Sequence, residues 1–325
     1  MKYNYIFFLP DNDFYKISYS DLNKLDNVHA YFGYKPINRV LYPVFKLHWA
    51  KKINNITNVP LKSIWYDLLY RTDFSVARPI CFFFMAADME DDNICNFVGY
   101  LQKKHPDAKF VAYYADLVKA PHRKRLSNPD YLRDKFDAIL SYDSSDAELY
   151  GLGYYPTSFS DIKMNGENDF ESDVYFLGKA KDRFEKIIDV YDKLRARGLN
   201  CLFYITGVPK EKRSELPGVR YIDSMPYEEN LQHVARTKCI LELQQGSARG
   251  YTLRTWEAIN FDKILITNNE YIRNSKYYNK DYVIMEEELD ETDLKSIISQ
   301  EAHVNKLKDV IRPQKLVEYL EGIFD

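Results

Sequence analysis

Apolar and polar positions along the chain alternate between two periods. The runs YNYIFFLP, PICFFFMAAD, AKFVAYYAD and DAILSYD are apolar almost throughout, as strands buried on both faces of a parallel sheet must be. Between them lie stretches with helical spacing: a long amphipathic one around INRVLYPVFKLHWAKKI, then DNICNFVGYLQKKHP, a polar helix near PDYLRDKF and the short SSDAELYG. From Thr157 to Ser172 the composition turns to Asn, Gly, Ser and Asp, which predicts a linker. The alternation then restarts. Strands VYFLG, CLFYITG, VRYID, CILELQ, KILITN and YVIMEE are interleaved with helices at DRFEKIIDVYDKLRARG, KEKRSEL, YEENLQHVART, YTLRTWEAI and TDLKSIISQEA, plus a short one near YIRNSKYY. The pattern predicts two doubly wound α/β domains, residues 1–157 and 172–310. A final amphipathic segment, 311–325, is placed to cross back to the first.

Composition narrows the function classes. A length of 325 residues with 46% apolar content suits two cores rather than one. A formal charge of −3 supplies no general field for nucleic acid, so nucleic acid is not expected as a partner. The apolar start is interrupted by Pro10 and Asp11, too early for a signal sequence or a span. Cys81, Cys95, Cys201 and Cys239 form no CxxC pair, and three of them sit in apolar runs, which points to a reducing, cytoplasmic setting. The 28 tyrosines fit stacking surfaces for sugars or bases and a coding bias equally well.

Ligands of open α/β sheets sit outside the carboxyl ends of the strands, so the residues just after each strand are the candidates. After VYFL come Gly178 and Lys179, with Arg183 at the next helix start, where cations and free N–H groups suit a diphosphate. After CLFYI, Gly207 and Val208 make a tight turn on which a flat base can lie, and Met225 follows VRYI. After CILEL the loop QQGSARG contains Gly246, Ser247, Arg249 and Gly250, and it leads through Thr252 into a helix with Arg254 and Glu257 three positions apart. That pair has three readings: a surface salt bridge worth about 0.2–0.5 kcal/mol, a helix N-terminus built to hold phosphate, or a cap without chemistry.

The series FLGKAKDRF, YITGVP, YIDSMPYEENLQHVARTKCILEL and GYTLRTWEAINFDKILITNN resembles the donor-binding domain of GT-B glycosyltransferases, in which two Rossmann-like domains face a cleft. It is most similar to bacterial capsule and lipopolysaccharide transferases, where TLRTxEAI followed by KxLITxN recurs. The resemblance covers roughly residues 172–285, and the first half only by architecture. It implies that Gly178, Lys179 and Arg183 approach the diphosphate, that Gly207, Val208 and Met225 line the base, and that Glu257 accepts from the ribose. The donor would be a nucleotide-sugar, UDP-linked first of all, acting as substrate with no cofactor. The acceptor would be a glycan or lipid-linked glycan, and the enzyme would be cytoplasmic or peripheral to the membrane.

One departure bears on mechanism. Where many retaining members carry a glutamate eight residues before the ribose glutamate, this chain has Arg249. A cation there would oppose charge on the leaving diphosphate, which favours inversion and leaves no need for a metal. Inversion needs a general base from the first domain, and Asp88 and Asp116, which close central strands, are preferred over Asp11 and Asp13. The run Asp88–Asp92 reads as a helix N-cap with first-turn acids. His122 with Arg123, Lys124 and Arg125 reads as a solvated basic loop, or as a contact for acceptor phosphates or a membrane surface. The histidines lack zinc spacing, and GxSxG, Walker A and GxGxxG are missing from the sequence. Two other readings stay open: a non-catalytic nucleotide-sugar or glycan-binding module, and a nucleotide-sugar 2-epimerase.

Overall fold

The computed structural model describes residues 1–325 other than 55, 58, 122, 167–168, 245–249 and 300–306. The chain forms two compact units, Met1–Ser160 with Arg312–Asp325, and Asp161–Ile311.

In the first unit the strands are β1 (Asn4–Leu9), β2 (Val28–Phe32), β3 (Ile80–Met85), β4 (Lys109–Tyr114), β5 (Ala138–Ser141) and β6 (Gly153–Tyr154), in the spatial order β2-β1-β3-β4-β5-β6. Every pairing is parallel. All six residues of β1 and of β3 are buried, which is why both read as unbroken apolar runs. One face of the sheet packs Phe8, Phe82 and Phe84 against Phe97 of the helix Asp92–Lys104. The other face packs Phe7 and Phe83 against Leu316, Val317 and Leu320 of the helix Pro313–Ile323. Glu321 of that helix accepts from the Lys2 and Tyr3 amides and from the Tyr5 hydroxyl, which ties the chain end to β1.

The second unit contains β7 (Ser172–Lys179), β8 (Cys201–Thr206), β9 (Val219–Ile222), β10 (Thr237–Glu242), β11 (Ile264–Thr267) and β12 (Val283–Met285), in the order β12-β11-β10-β7-β8-β9. It is parallel throughout. In its own strand count this is the 3-2-1-4-5-6 order, whose direction of winding reverses between β7 and β10. The first unit has the 2-1-3-4-5 order extended by one strand, and it reverses between β1 and β3. These two reversals locate the crevices where ligands can reach free backbone groups.

β2, β6 and the KEKRSEL segment differ from the sequence expectation. β2 is an additional strand; it lies at the sheet edge with only Val28 fully buried, so its apolar signal is weak. β6 is a two-residue strand, too short to leave a pattern. KEKRSEL forms a single turn at Lys210–Lys212 instead of a helix, because its residues up to Glu215 are exposed and Leu216 alone reaches the core, too little for an apolar helix face. Among the described residues no helix is long and apolar enough to cross a membrane.

Candidate functional site

At the reversal in the second unit, a cavity of about 330 Å³ is lined by Phe176 and Leu177 of β7, by Glu242 and Gln244 at the end of β10, and by Arg183, Thr252 and Arg254. The helix Leu253–Asn260 reaches it by its N-terminus. Thr252 caps that end by accepting from the Arg254 amide at 3.1 Å. Although it is short, the helix is held firmly, since Thr255 through Asn260 are all buried and Trp256 packs against Tyr251 and Tyr277.

Beneath the cap lies Glu242, 3% exposed, whose carboxylate accepts from the hydroxyls of Thr252, Thr255 and Thr267. Burial pushes this carboxyl above its ordinary value, and the three hydroxyls oppose the shift. Beside it, Arg254 and Glu257 pair directly through Nη1 and Oε2. Asn230 donates to Glu257 Oε1 at 3.1 Å and accepts from Arg254 Nη1 at 3.0 Å. Tyr175 donates to the same Asn230 oxygen at 3.1 Å. The Glu257 side chain is fully buried and that of Arg254 is 17% exposed, so the surface-salt-bridge reading falls. Burial pushes the Glu257 carboxyl up against the pull of Arg254, Asn230 and Tyr227. Burial draws the Arg254 guanidinium down, but the charge of Glu257, the hydrogen bond to it and the phenols of Tyr175 and Tyr227 together raise it.

The predicted residues that the structure describes have definite places. Arg183 lines the cavity with Arg254 and is half-buried. Burial draws its pKa down, Asp182 and Glu242 draw it up, and the like charge of Arg254 draws it down again. Gly178 allows this approach, because a Cβ there would stand 2.6 Å from the Phe176 ring and 3.2 Å from Arg183 Nη2. The exposed Lys179 does not line the cavity; its stem lies over Gly207, which needs its φ of 72° for the turn. Val208 is 3% exposed and belongs to the core, so the turn offers its backbone rather than this side chain to a base. Met225 is half-buried, with its sulfur 3.6 Å from the Tyr175 hydroxyl. The Gly250 carbonyl is taken by Gln244 at 3.0 Å and Asn269 at 2.9 Å. Glu257 does not line the cavity, and both its oxygens are engaged, so in this geometry it positions Arg254. Gly246, Ser247 and Arg249 lie outside the described residues, as does His122. Asn230, Tyr175 and Glu242 were not legible in the sequence; a buried network between elements leaves no mark at fixed spacing.

The reversal in the first unit collects acids and tyrosines. Asp88, in the turn Ala86–Glu90 after β3, accepts from the Tyr34 hydroxyl at 2.8 Å. Asp116, exposed after β4, accepts from the Leu117 amide at 2.8 Å. Both carboxylates act on Tyr15, whose phenol is raised first by burial, then by Tyr19, Asp88 and Asp116, with Arg123 opposing. Asp11 is tied up by Lys16 and Lys35. Asp91 caps the helix Asp92–Lys104 by accepting from the Asn93 amide, and Glu90 accepts from the amides of Lys124 and Leu126. The basic run is not a solvated loop. Arg123 is buried 4.8 Å over the Tyr114 ring, and its Nε and Nη1 have no hydrogen-bond partner among the described residues. Arg125 pairs with Asp92 at 2.7 Å, while Lys124 faces solvent.

Solved structures share this arrangement of strands over nearly the whole chain. An alpha-glucosyltransferase in complex with UDP and a 13-mer DNA containing an HMU base aligns over 99% of this chain and 99% of its own, with a TM-score of 0.57 and 12% identity. The alpha-glucosyltransferase in complex with UDP gives 0.57 at 11% identity, again over 99% of both chains. A glycosyltransferase from Rickettsia africae ESF-5 gives 0.51 at 8% identity over 99% of this chain and 98% of its own. The fold is GT-B. Identities this low speak to the GT-B architecture and not to the substrate. No protein-family model and no curated protein sequence matches the chain.

Proposed function

We propose that this GT-B chain is a glycosyltransferase. It moves a sugar from a nucleotide diphosphate, UDP in the first instance, to a surface polysaccharide of capsule or lipopolysaccharide type, with inversion and without a metal. The observation that carries the reading is the convergence of Arg183 and Arg254 on the cavity between β7 and β10. Their nearest buried acids are already satisfied, Glu242 by three threonines and Glu257 by Asn230 and one edge of Arg254. Two guanidinium groups in so small a cavity, with no uncommitted carboxylate among the described residues that line it, call for an anionic ligand. The volume is of the order of a small-molecule site.

As the glycosidic bond breaks, negative charge grows on the leaving diphosphate. Forked donors fixed beforehand stabilise that charge more than they stabilise the intact donor. The helix N-terminus capped by Thr252 adds its dipole in the same sense. Arg249 is assigned to the same task on the resemblance alone. The acceptor hydroxyl gives its proton to Asp116 or Asp88 in the first unit. The polysaccharide acceptor rests on the motifs TLRTxEAI and KxLITxN. A second reading to be tested is transfer to a modified base in DNA, which is raised by the alpha-glucosyltransferase of the same fold and length.

Calorimetric titration with UDP-, GDP- and dTDP-sugars tests the donor site, with dissociation constants of about 1 μM to 1 mM expected for at least one. Flat titrations for all of them overturn the reading. Incubation with the donor that binds, offered lipid-linked glycan and DNA bearing hydroxymethylated bases in parallel, decides between the two acceptors.

A further inference from the structure

We propose that the stretch from Arg39 to Leu68 in the first unit is a docking surface for an anionic lipid bilayer. The helix Tyr42–Trp49 is apolar on both sides. Its inner side sets Phe45 into the core against Trp65, with ring centroids 5.3 Å apart. Its outer side, continued by the preceding turn Arg39–Leu41, presents Val40, Val44 and Leu47, which are 82%, 60% and 64% exposed. These recur at i, i+4 and i+7 and so form one stripe. The turn Lys62–Leu68 repeats the arrangement, burying Trp65 and Tyr66 while Leu61 and Ile64 are 72% and 58% exposed. Soluble surfaces carry isolated apolar residues, whereas a contiguous stripe of aliphatic ones marks a contact.

His48 joins the two pieces into one surface. Its Nδ1 accepts from the Trp65 indole at 2.8 Å, which leaves the proton on Nε2 to be donated to the Pro60 carbonyl, also at 2.8 Å.

Charge selects the occupant. In a chain with 48 acidic residues, positions 27 to 66 contain none, while Lys35, Arg39, Lys46, Lys51, Lys52 and Lys62 all fall there; the one acid of the stretch itself, Asp67, is paired with Lys104. Arg39 and Lys46 are exposed beside the stripe. Cations flanking exposed aliphatic side chains match a bilayer with anionic headgroups, where the stripe sinks to the acyl boundary and the cations stay among phosphates. A second copy would set like charges face to face, and a nucleic acid would leave the aliphatic stripe in water.

Flotation of the full chain with phosphatidylcholine vesicles, with and without phosphatidylglycerol, tests this without reference to turnover. Binding is expected only where phosphatidylglycerol is present, and raised salt should weaken it. The double variant Val44→Glu with Leu47→Glu should lose roughly tenfold in partitioning, with an unchanged melting temperature and unchanged UDP affinity. Lys46→Glu should weaken binding while leaving the stripe intact. Failure to float with either vesicle overturns the proposal, as does equal flotation of the double variant. It is overturned equally by a dimer that dissociates on that substitution, or by duplex DNA binding that disappears with it.

Discussion

The two units use one architecture with opposite charge at the place where their sheets reverse direction. In the second, Arg183 and Arg254 face a cavity while the acids beneath them are buried and satisfied. In the first, Asp88 and Asp116 act on a half-buried tyrosine, Lys16 and Lys35 are held by Asp11, and Arg123 lies buried on an aromatic ring. A parallel sheet supplies crevices at its reversal whatever its sequence, and the loop residues decide which charge the crevice will accept. A cationic crevice suits a leaving group that becomes negative, and an acidic one suits a hydroxyl that must lose a proton.

The largest effect should come from removing the acids of the first unit. Asp116→Asn or Asp88→Asn should lower turnover by about 10²- to 10⁴-fold, with donor affinity unchanged by calorimetry. Full turnover in both variants would take the base out of the first unit and end the division of labour. Next comes the buried pair of the second unit. Glu257→Ala leaves the buried charge of Arg254 without its carboxylate partner and should cost about 3–5 kcal/mol in denaturant unfolding, whereas Asp116→Ala, at an exposed site, should cost less than about 0.5 kcal/mol. Equal losses would show that the two edges do not differ in burial as described. A smaller change is expected from Arg183→Ala, which should weaken UDP binding roughly 10- to 100-fold by losing charge-assisted hydrogen bonds. Arg123→Met should leave UDP affinity alone, and a comparable loss in that variant would contradict the assignment of the anion to the second unit.

The smallest effect is on pH dependence. The folded Glu242 carboxyl binds its proton more tightly than the unfolded one, whose ordinary value is 4.5. Its contribution is therefore fully present below 4.5 and is lost as pH rises through the folded value. Glu257 is shifted in the same direction, so Glu242→Gln should remove part of the decline and not all of it. Melting temperatures from about pH 4 to pH 8 read this directly, and an undiminished slope in the variant would clear Glu242 of the effect.

Much of the fold was legible because strands such as PICFFFM and CLFYIT are buried on both faces and must be apolar at every position. β2 was not, because an edge strand needs only a half-covered face, and neither was the loss of the KEKRSEL helix, since propensity without packing does not hold a short helix. In the site, Arg183 and Arg254 could be named because they follow strand ends in sequence. The partners that set Arg254, Asn230 and Tyr175, come from a different helix and strand.

The sequence alone therefore determined the alternation of strands and helices, the two parallel sheets it builds, and the loops that reach their carboxyl rims, since each follows from local period and burial. Tertiary structure decided the rest: that Glu257 braces Arg254 from inside, that Val208 is core, that Arg123 turns inward and that the stripe from Val40 to Ile64 turns outward. Whether a polar side chain meets water or another buried group depends on which elements are packed beside it. Spacing along one element carries no record of that.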